Sequence, residues 1–160
     1  MAAGLTAAAA GEGTLGKGFD ERSLLPPERA FSLSARGLDP RTIEVRYAIA
    51  DGYYLYRDKI KLGVEPANMS APPVLPPGKV KQDEFFGQVE TYRGELMVRL
   101  ALAQPVPGAT VNLIAESKGC ADAGVCYPPQ QQRLVLPMPK EGAGAGALVE
   151  AAPAKRSWFK

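Results

Sequence analysis

The chain is built of short stretches in which apolar and polar residues alternate, separated by turn residues. In 42–50, Ile43, Val45, Tyr47 and Ile49 fall on one face of an extended strand while Glu44 and Arg46 fall on the other. Residues 95–102 repeat the pattern, with Leu96, Val98, Leu100 and Leu102 alternating with Met97, Arg99 and Ala101, and 110–116 form a third such stretch. Shorter candidate strands occupy 31–35, 53–56, 60–64, 88–92 and 133–136, each beside Gly, Pro, Asp or Asn. No stretch of ten residues carries a helical period. The segment LLPPERAF at 24–31 supports a single helical turn, because proline suits a first helical position and an acidic residue a first turn.

Seven or eight short strands within about 120 residues predict an all-β fold, an immunoglobulin-like antiparallel β-sandwich, with a Greek-key barrel as the alternative. The prolines agree with this pattern: Pro72, Pro73, Pro76 and Pro77 mark an extended connection that has no place inside a central strand. The expected organisation is a flexible leader over 1–20, one domain over 21–140, and a linker over 141–160 that is rich in Ala and Gly. Lys155, Arg156, Trp158 and Phe159 have the cationic and aromatic character of a chain approaching a membrane interface, although a solvated tail accounts for them equally well.

Charge and composition narrow the chemistry. Nineteen basic residues against seventeen acidic ones, without a run of one sign, do not suit a phosphate backbone, so nucleic acid is not an expected partner. Histidine is absent, which removes the commonest general base and the commonest metal ligand together. Two cysteines do not complete a four-ligand zinc site, and Met69, Met97 and Met138 are too scattered to extend one, so no metal is expected. The start of the chain lacks the basic beginning and sustained apolar run of a signal peptide. No segment approaches the roughly 20 apolar residues that cross a bilayer.

The two cysteines sit in KGCADAGVCYPPQ with five residues between them, centred on Asp122, Ala123 and Gly124, which are turn residues; a hairpin loop is the natural geometry. Cysteines flanking such a turn can face each other within the roughly 4.4 to 6.8 Å Cα separation that a disulfide requires. Closing about seven residues stabilises a fold by roughly 2.3 kcal/mol, against about 4.4 kcal/mol for a 70-residue crosslink, so the bridge is poorly placed as a staple. An accessible hairpin is well placed for exchange. Spacing alone leaves both readings open.

Three blocks, GCADAGVCYPP, DGYYLYRDKI at 51–60 and DEFFGQVETYR at 83–93, together resemble the N-terminal domain of the DsbD family of membrane thiol-disulfide interchange proteins. The likeness spans about residues 24–139. It implies an immunoglobulin-like periplasmic domain of a protein anchored in the bacterial inner membrane. Such a domain accepts electrons from the thioredoxin-like C-terminal domain of the same parent. It passes them to periplasmic thioredoxin-fold proteins of the DsbC, DsbG and CcmG types, serving disulfide isomerisation and cytochrome c maturation. No cofactor is implied beyond a redox-active Cys120–Cys126 disulfide.

The resemblance also implies roles for single residues. Cys126 matches the cysteine that forms mixed disulfides with partners, and Cys120 the one that resolves them. Asp83 and Glu84 match acidic residues near the site, where a carboxylate can move a proton or keep a thiol protonated. Phe85 matches the aromatic of a cap loop that shields the disulfide, flanked by Phe86 and Gly87. Phe86 stands where a tyrosine also occurs, without its hydroxyl. Tyr54 and Tyr56 match aromatics lining the site, although on a strand half-buried packing explains them as well. No lysine, arginine or histidine stands beside Cys126 in the sequence to lower its pKa, so activation of its thiol is expected only in a complex. A shuttle presenting its tip to several partners is expected to be monomeric. The competing account is a non-catalytic immunoglobulin-like binding or scaffolding module with a structural disulfide.

Overall fold

A computed structural model describes residues 24–65, 70–83 and 86–151. The leader 1–20, the membrane-interface residues 155–159, and the candidate site residues Glu84 and Phe85 lie outside these described residues.

The order of elements follows the alternation. After a one-turn helix α1 (Pro27–Ala30) come β1 (Phe31–Asp39), β2 (Thr42–Ile49), β3 (Tyr53–Tyr56) and, beyond a 3-10 turn at Arg57–Lys59, β4 (Lys61–Glu65). The chain continues through β5 (Lys79–Asp83), β6 (Gly87–Tyr92), β7 (Glu95–Ala101), β8 (Thr110–Ser117), β9 (Gly119–Ala121), β10 (Gln130–Pro137) and β11 (Val149–Glu150). The helical turn has its proline at the start and Glu28 in its first turn, as its sequence predicts.

The strands form three antiparallel sheets, ordered β11-β1-β2-β7, β10-β8-β4 and β5-β6-β3-β9. Register explains the burial. In the first sheet Ala35 faces Val45, which faces Val98, and Leu33 faces Tyr47, which faces Leu96. In the second, Leu134 opposes Leu113, which opposes Val64. These side chains enter one buried apolar cluster, and each fully buried Leu, Ile or Val contributes about 1.5–3 kcal/mol through removal from water. The result is the expected immunoglobulin-like sandwich, extended by the third sheet, which carries the site.

Strand β3 joins the two. All four residues of YYLY are buried, which a strand with one wet face would not show. Tyr53 and Leu55 point into the main core, while Tyr54 and Tyr56 pack on the other face in a second cluster with Cys120.

Three strands depart from the sequence expectation. β5 (KVKQD) is polar at most positions and lies at a sheet edge, β9 has three residues, and β11 has two. Backbone pairing holds them, so they leave little hydrophobic signature. Within the segment 141–160, Val149 and Glu150 of β11 pair with Ala35 and Ser34 of β1, and the amide of Gly146 donates to the Gly37 carbonyl at 2.7 Å. That segment covers the free edge of β1.

Candidate active site

Cys120 and Cys126 form a disulfide with a Cα separation of 3.9 Å, closer than the usual range. They are directly opposed across an antiparallel bridge. The flanking bonds, Ala121 N–H to the Val125 carbonyl at 2.7 Å and Tyr127 N–H to the Gly119 carbonyl at 2.9 Å, make them a non-hydrogen-bonded pair, the narrow kind that brings side chains together. The turn uses Gly124 at φ +105°, a conformation that favours glycine. The amide of Asp122 donates to the Gly52 carbonyl at 2.7 Å and ties the tip to the β2–β3 turn.

Two further anchors fix the hairpin. Gly119 runs against β3 so closely that a Cβ there would lie 2.4 Å from the Tyr54 carbonyl oxygen and 2.6 Å from the Phe31 ring. Tyr127, directly after Cys126, packs edge-on against Phe31 and stacks on Tyr53, and its hydroxyl donates to the Leu25 carbonyl at 2.5 Å. Burial pushes the Tyr127 phenol up to about 12, with Tyr53 adding to the shift, so it stays a neutral donor.

The two sulfurs have different surroundings. Cys120 is 0% exposed, whereas Cys126 is half-buried and lines a depression of about 200 Å³ with Tyr54, Lys81, Gln82, Asp83, Asp122 and Gly124. Behind Cys120 stands Tyr56, whose Oη is 3.1 Å from Cys120 Sγ and 3.9 Å from Cys126 Sγ. The same hydroxyl donates to Asp83 Oδ2 at 2.5 Å. Burial, then the Asp83 bond, drives the Tyr56 phenol well above its ordinary value, so it keeps its proton. Sulfur, phenol and carboxylate thus form a continuous chain from Cys120 to Asp83.

Asp83 is therefore no solvated loop residue. It ends β5 and is 5% exposed, and its Oδ1 accepts from the amide of Phe86 at 3.1 Å. Phe86 lies edge-on to Tyr56 with ring centroids 5.2 Å apart and stays 45% exposed. Gly87 opens β6 at φ +76° and turns the chain back after this segment. Tyr54 meets Tyr56 edge-on at 5.6 Å and pairs in register with Cys120. Of the nine residues expected at the site seven are described: Cys120 and Cys126 form the disulfide, Tyr54, Tyr56 and Asp83 lie beside it, and Phe86, followed by Gly87, packs on Tyr56.

The sequence reading missed the cations. Lys81 Nζ lies 5.1 Å from the Tyr54 ring centroid, and the Arg93 guanidinium lies 5.2 Å from the same ring. Lys59 lies 5.1 Å from the Phe86 ring centroid. Arg93 also grips Asp122 through two bonds of 2.6 and 3.0 Å, which hold the Asp122 carboxyl below its ordinary range. Strand periodicity contains the missing signal: once 79–83 is a strand, Lys81 shares a face with Asp83.

A buried sulfur beside a protonated phenol and a half-buried sulfur in a depression that Lys81 also lines form a pair in which one bond breaks with both fragments accommodated. This suits thiol-disulfide exchange.

The family model for the N-terminal domain of the thiol:disulfide interchange protein DsbD matches residues 21–137. The DsbD protein of Ralstonia nicotianae is 47% identical over 80% of this chain, and DsbD 2 of Pseudomonas aeruginosa is 41% identical over 75%. The chain spans only 21% and 19% of the lengths of those two relatives. The crystal structure of the DsbD N-terminal domain of Neisseria meningitidis in its reduced form superposes with a TM-score of 0.72 at 33% identity, covering 84% of this chain and all of that one. A structure of the complex between the DsbD N-terminal and PilB N-terminal domains from the same organism matches with a TM-score of 0.61 at 39% identity, over 71% of this chain and 87% of that one. A relationship of this depth, over both the sandwich and the hairpin it carries, means that the chain belongs to the family of DsbD N-terminal domains.

Proposed function

We propose that this domain is a periplasmic thiol-disulfide exchange module that takes electrons from the thioredoxin-like domain of its parent protein and delivers them to thioredoxin-fold partners. The asymmetry of the two sulfurs carries this reading: one is sealed and the other open. A thiolate of the donor attacks Cys126 Sγ; the Cys120–Cys126 bond breaks and Cys120 departs with the electron pair. The donor's second thiolate then attacks its own sulfur in the mixed disulfide, releasing Cys126 and leaving the donor oxidised. In the outward step the Cys126 thiolate attacks a partner's disulfide, whose far sulfur leaves as thiolate. Cys120 then displaces the reduced partner and remakes the internal bond.

Tyr56 and Asp83 serve Cys120 in both directions. A departing thiolate in a dry site needs a hydrogen bond or a proton, and the Tyr56 hydroxyl at 3.1 Å is placed to turn from Asp83 and donate to it. In the return step Asp83 accepts through Tyr56 the proton that the Cys120 thiol must lose. Phe86, edge-on to Tyr56, and Phe85 act as a cap that keeps small oxidants from the reduced pair. Among the described residues no helix is long and apolar enough to cross a membrane, and anchoring in the inner membrane belongs to the parent protein. Partners of the DsbC, DsbG and CcmG types fit an exchange surface reached through Cys126. The PilB N-terminal domain in the Neisseria complex is a partner of that relative.

The test is equilibration of the oxidised domain with a reduced thioredoxin-fold protein, with thiols counted by alkylation and mass spectrometry while the fold is followed by circular dichroism. Two new thiols in a folded domain are expected. A bond that persists until the domain unfolds would assign it to structure.

A further inference from the structure

The exchange reading leaves one charge at the disulfide without a task. Lys81 projects from the edge strand β5 into the depression that exposes Cys126, and it is the one cation among the described residues lining it. The other charged and titratable groups around Cys126 are engaged. Asp83, on the same face of β5, takes the Tyr56 hydroxyl and the Phe86 amide. Asp122, in the hairpin turn, is bound twice by Arg93, and Arg93 also stacks on Tyr54 of β3. Tyr56, also on β3, is a neutral phenol. Lys81 has no ion pair among the described residues, and its ammonium is held at the face of the Tyr54 ring. The Lys81 ammonium also acts on the Asp122 carboxylate, and its positive charge in the depression lined by the half-buried Cys126 favours negative charge on that sulfur.

We propose that Lys81 is the positioning charge that keeps reduced Cys126 available as a thiolate, making it the attacking sulfur of the pair while Cys120 is held as a thiol by Tyr56 and Asp83. The inference rests on the exchange reading for its purpose, yet its physical content concerns this chain alone. In the reaction Lys81 transfers nothing: the Cys126 thiolate bonds to the partner sulfur, the partner's disulfide breaks, and the ammonium stabilises charge before attack and again when Cys126 is the leaving group. The carboxylates beside the site favour the thiol form, so the nucleophile requires a compensating cation. In sequence that cation lies 45 residues from Cys126.

The experiment follows alkylation of the reduced domain by iodoacetamide across pH, with the first adduct located by peptide mass spectrometry and the fold checked by thermal unfolding. Iodide leaves as the sulfur–carbon bond forms, so the rate reports the thiolate. In the parent domain the first adduct is expected on Cys126. Lys81→Met should move the midpoint of the rate–pH profile up by about half a unit to one unit, slowing alkylation about threefold to tenfold at neutral pH. Lys81→Arg should restore the parent profile. A Lys81→Met profile that superimposes on the parent's, or an arginine variant no better than methionine, would overturn the proposal. Because no protein partner takes part, the outcome for Lys81 is independent of whether exchange with a thioredoxin-fold protein occurs.

Discussion

The two faces of β3 open onto different interiors. On one side Tyr53 and Leu55 join a continuous cluster of aliphatic and aromatic side chains from all three sheets. On the other, Tyr54, Tyr56 and Cys120 form a small cluster backed by Val89 and Cys126, in which the Tyr56 hydroxyl is bonded to Asp83 and lies against Cys120 Sγ. The first interior is held by area removed from water, which depends little on direction. The second is held by a few hydrogen bonds and ring contacts, where a single hydroxyl decides what happens to a sulfur. Stability and chemistry are therefore separable in this domain, although one strand serves both.

That separation is open to direct attack. The largest effect on stability is expected on the main-core side: Leu113→Ala, at a fully buried position between β10 and β4, should cost about 2–5 kcal/mol in chemical denaturation, while the molecules that remain folded exchange their disulfide at the parent rate. Tyr56→Phe shifts the balance. It should cost about 1–3 kcal/mol, since it leaves the buried Asp83 carboxyl without this donor, yet slow reduction by dithiothreitol about tenfold to a hundredfold, because Cys120 would depart without its donor. Equal rates in the two proteins would remove Tyr56 from the mechanism.

Phe86→Ala probes the rim between site and solvent. Loss of the ring that lies edge-on to Tyr56 should speed reaction with small thiols about threefold through easier access, with little change in unfolding temperature because the side chain is half-exposed. The smallest effect is electrostatic. Asp122 has its carboxyl depressed by Arg93, so this pair stabilises the fold above the ordinary carboxylate range, and the contribution disappears as pH falls through the depressed value. Both side chains are nearly half exposed, and screening limits the gain to a few tenths of a kcal/mol. Asp122→Asn should flatten the acid limb of the stability–pH curve by that amount.

The same contrast governs how much was legible in the sequence. Strands whose apolar residues alternate, such as β2, β7 and β8, lie within a residue of where the pattern places them, because burial in the main core is what produces the pattern. β5 and β9 carry the site and were invisible: KVKQD alternates nothing apolar, and GCA is too short to have a period. The cysteine hairpin was readable from its turn residues. Asp83, Tyr54 and Tyr56 were readable only through family resemblance, since propensity says nothing of a tyrosine that faces a sulfur 64 residues away. Lys81 and Arg93 escaped because the pairing of β5, β6 and β3 gathers them around Tyr54 from distant segments, and the period that puts Lys81 on the face of Asp83 speaks only once 79–83 is known to be a strand.

The most direct test of the central claim gives Cys120→Ala and Cys126→Ala variants separately to a thioredoxin-fold protein that lacks its resolving cysteine and carries an activated mixed disulfide on the other. Covalent adducts are then scored on a non-reducing gel. The open and sealed sulfurs predict rapid capture by the variant that retains Cys126, and little or none by the one that retains Cys120. Equal capture by both, or by neither while both remain folded, would contradict the assignment of Cys126 as the sulfur that meets the partner.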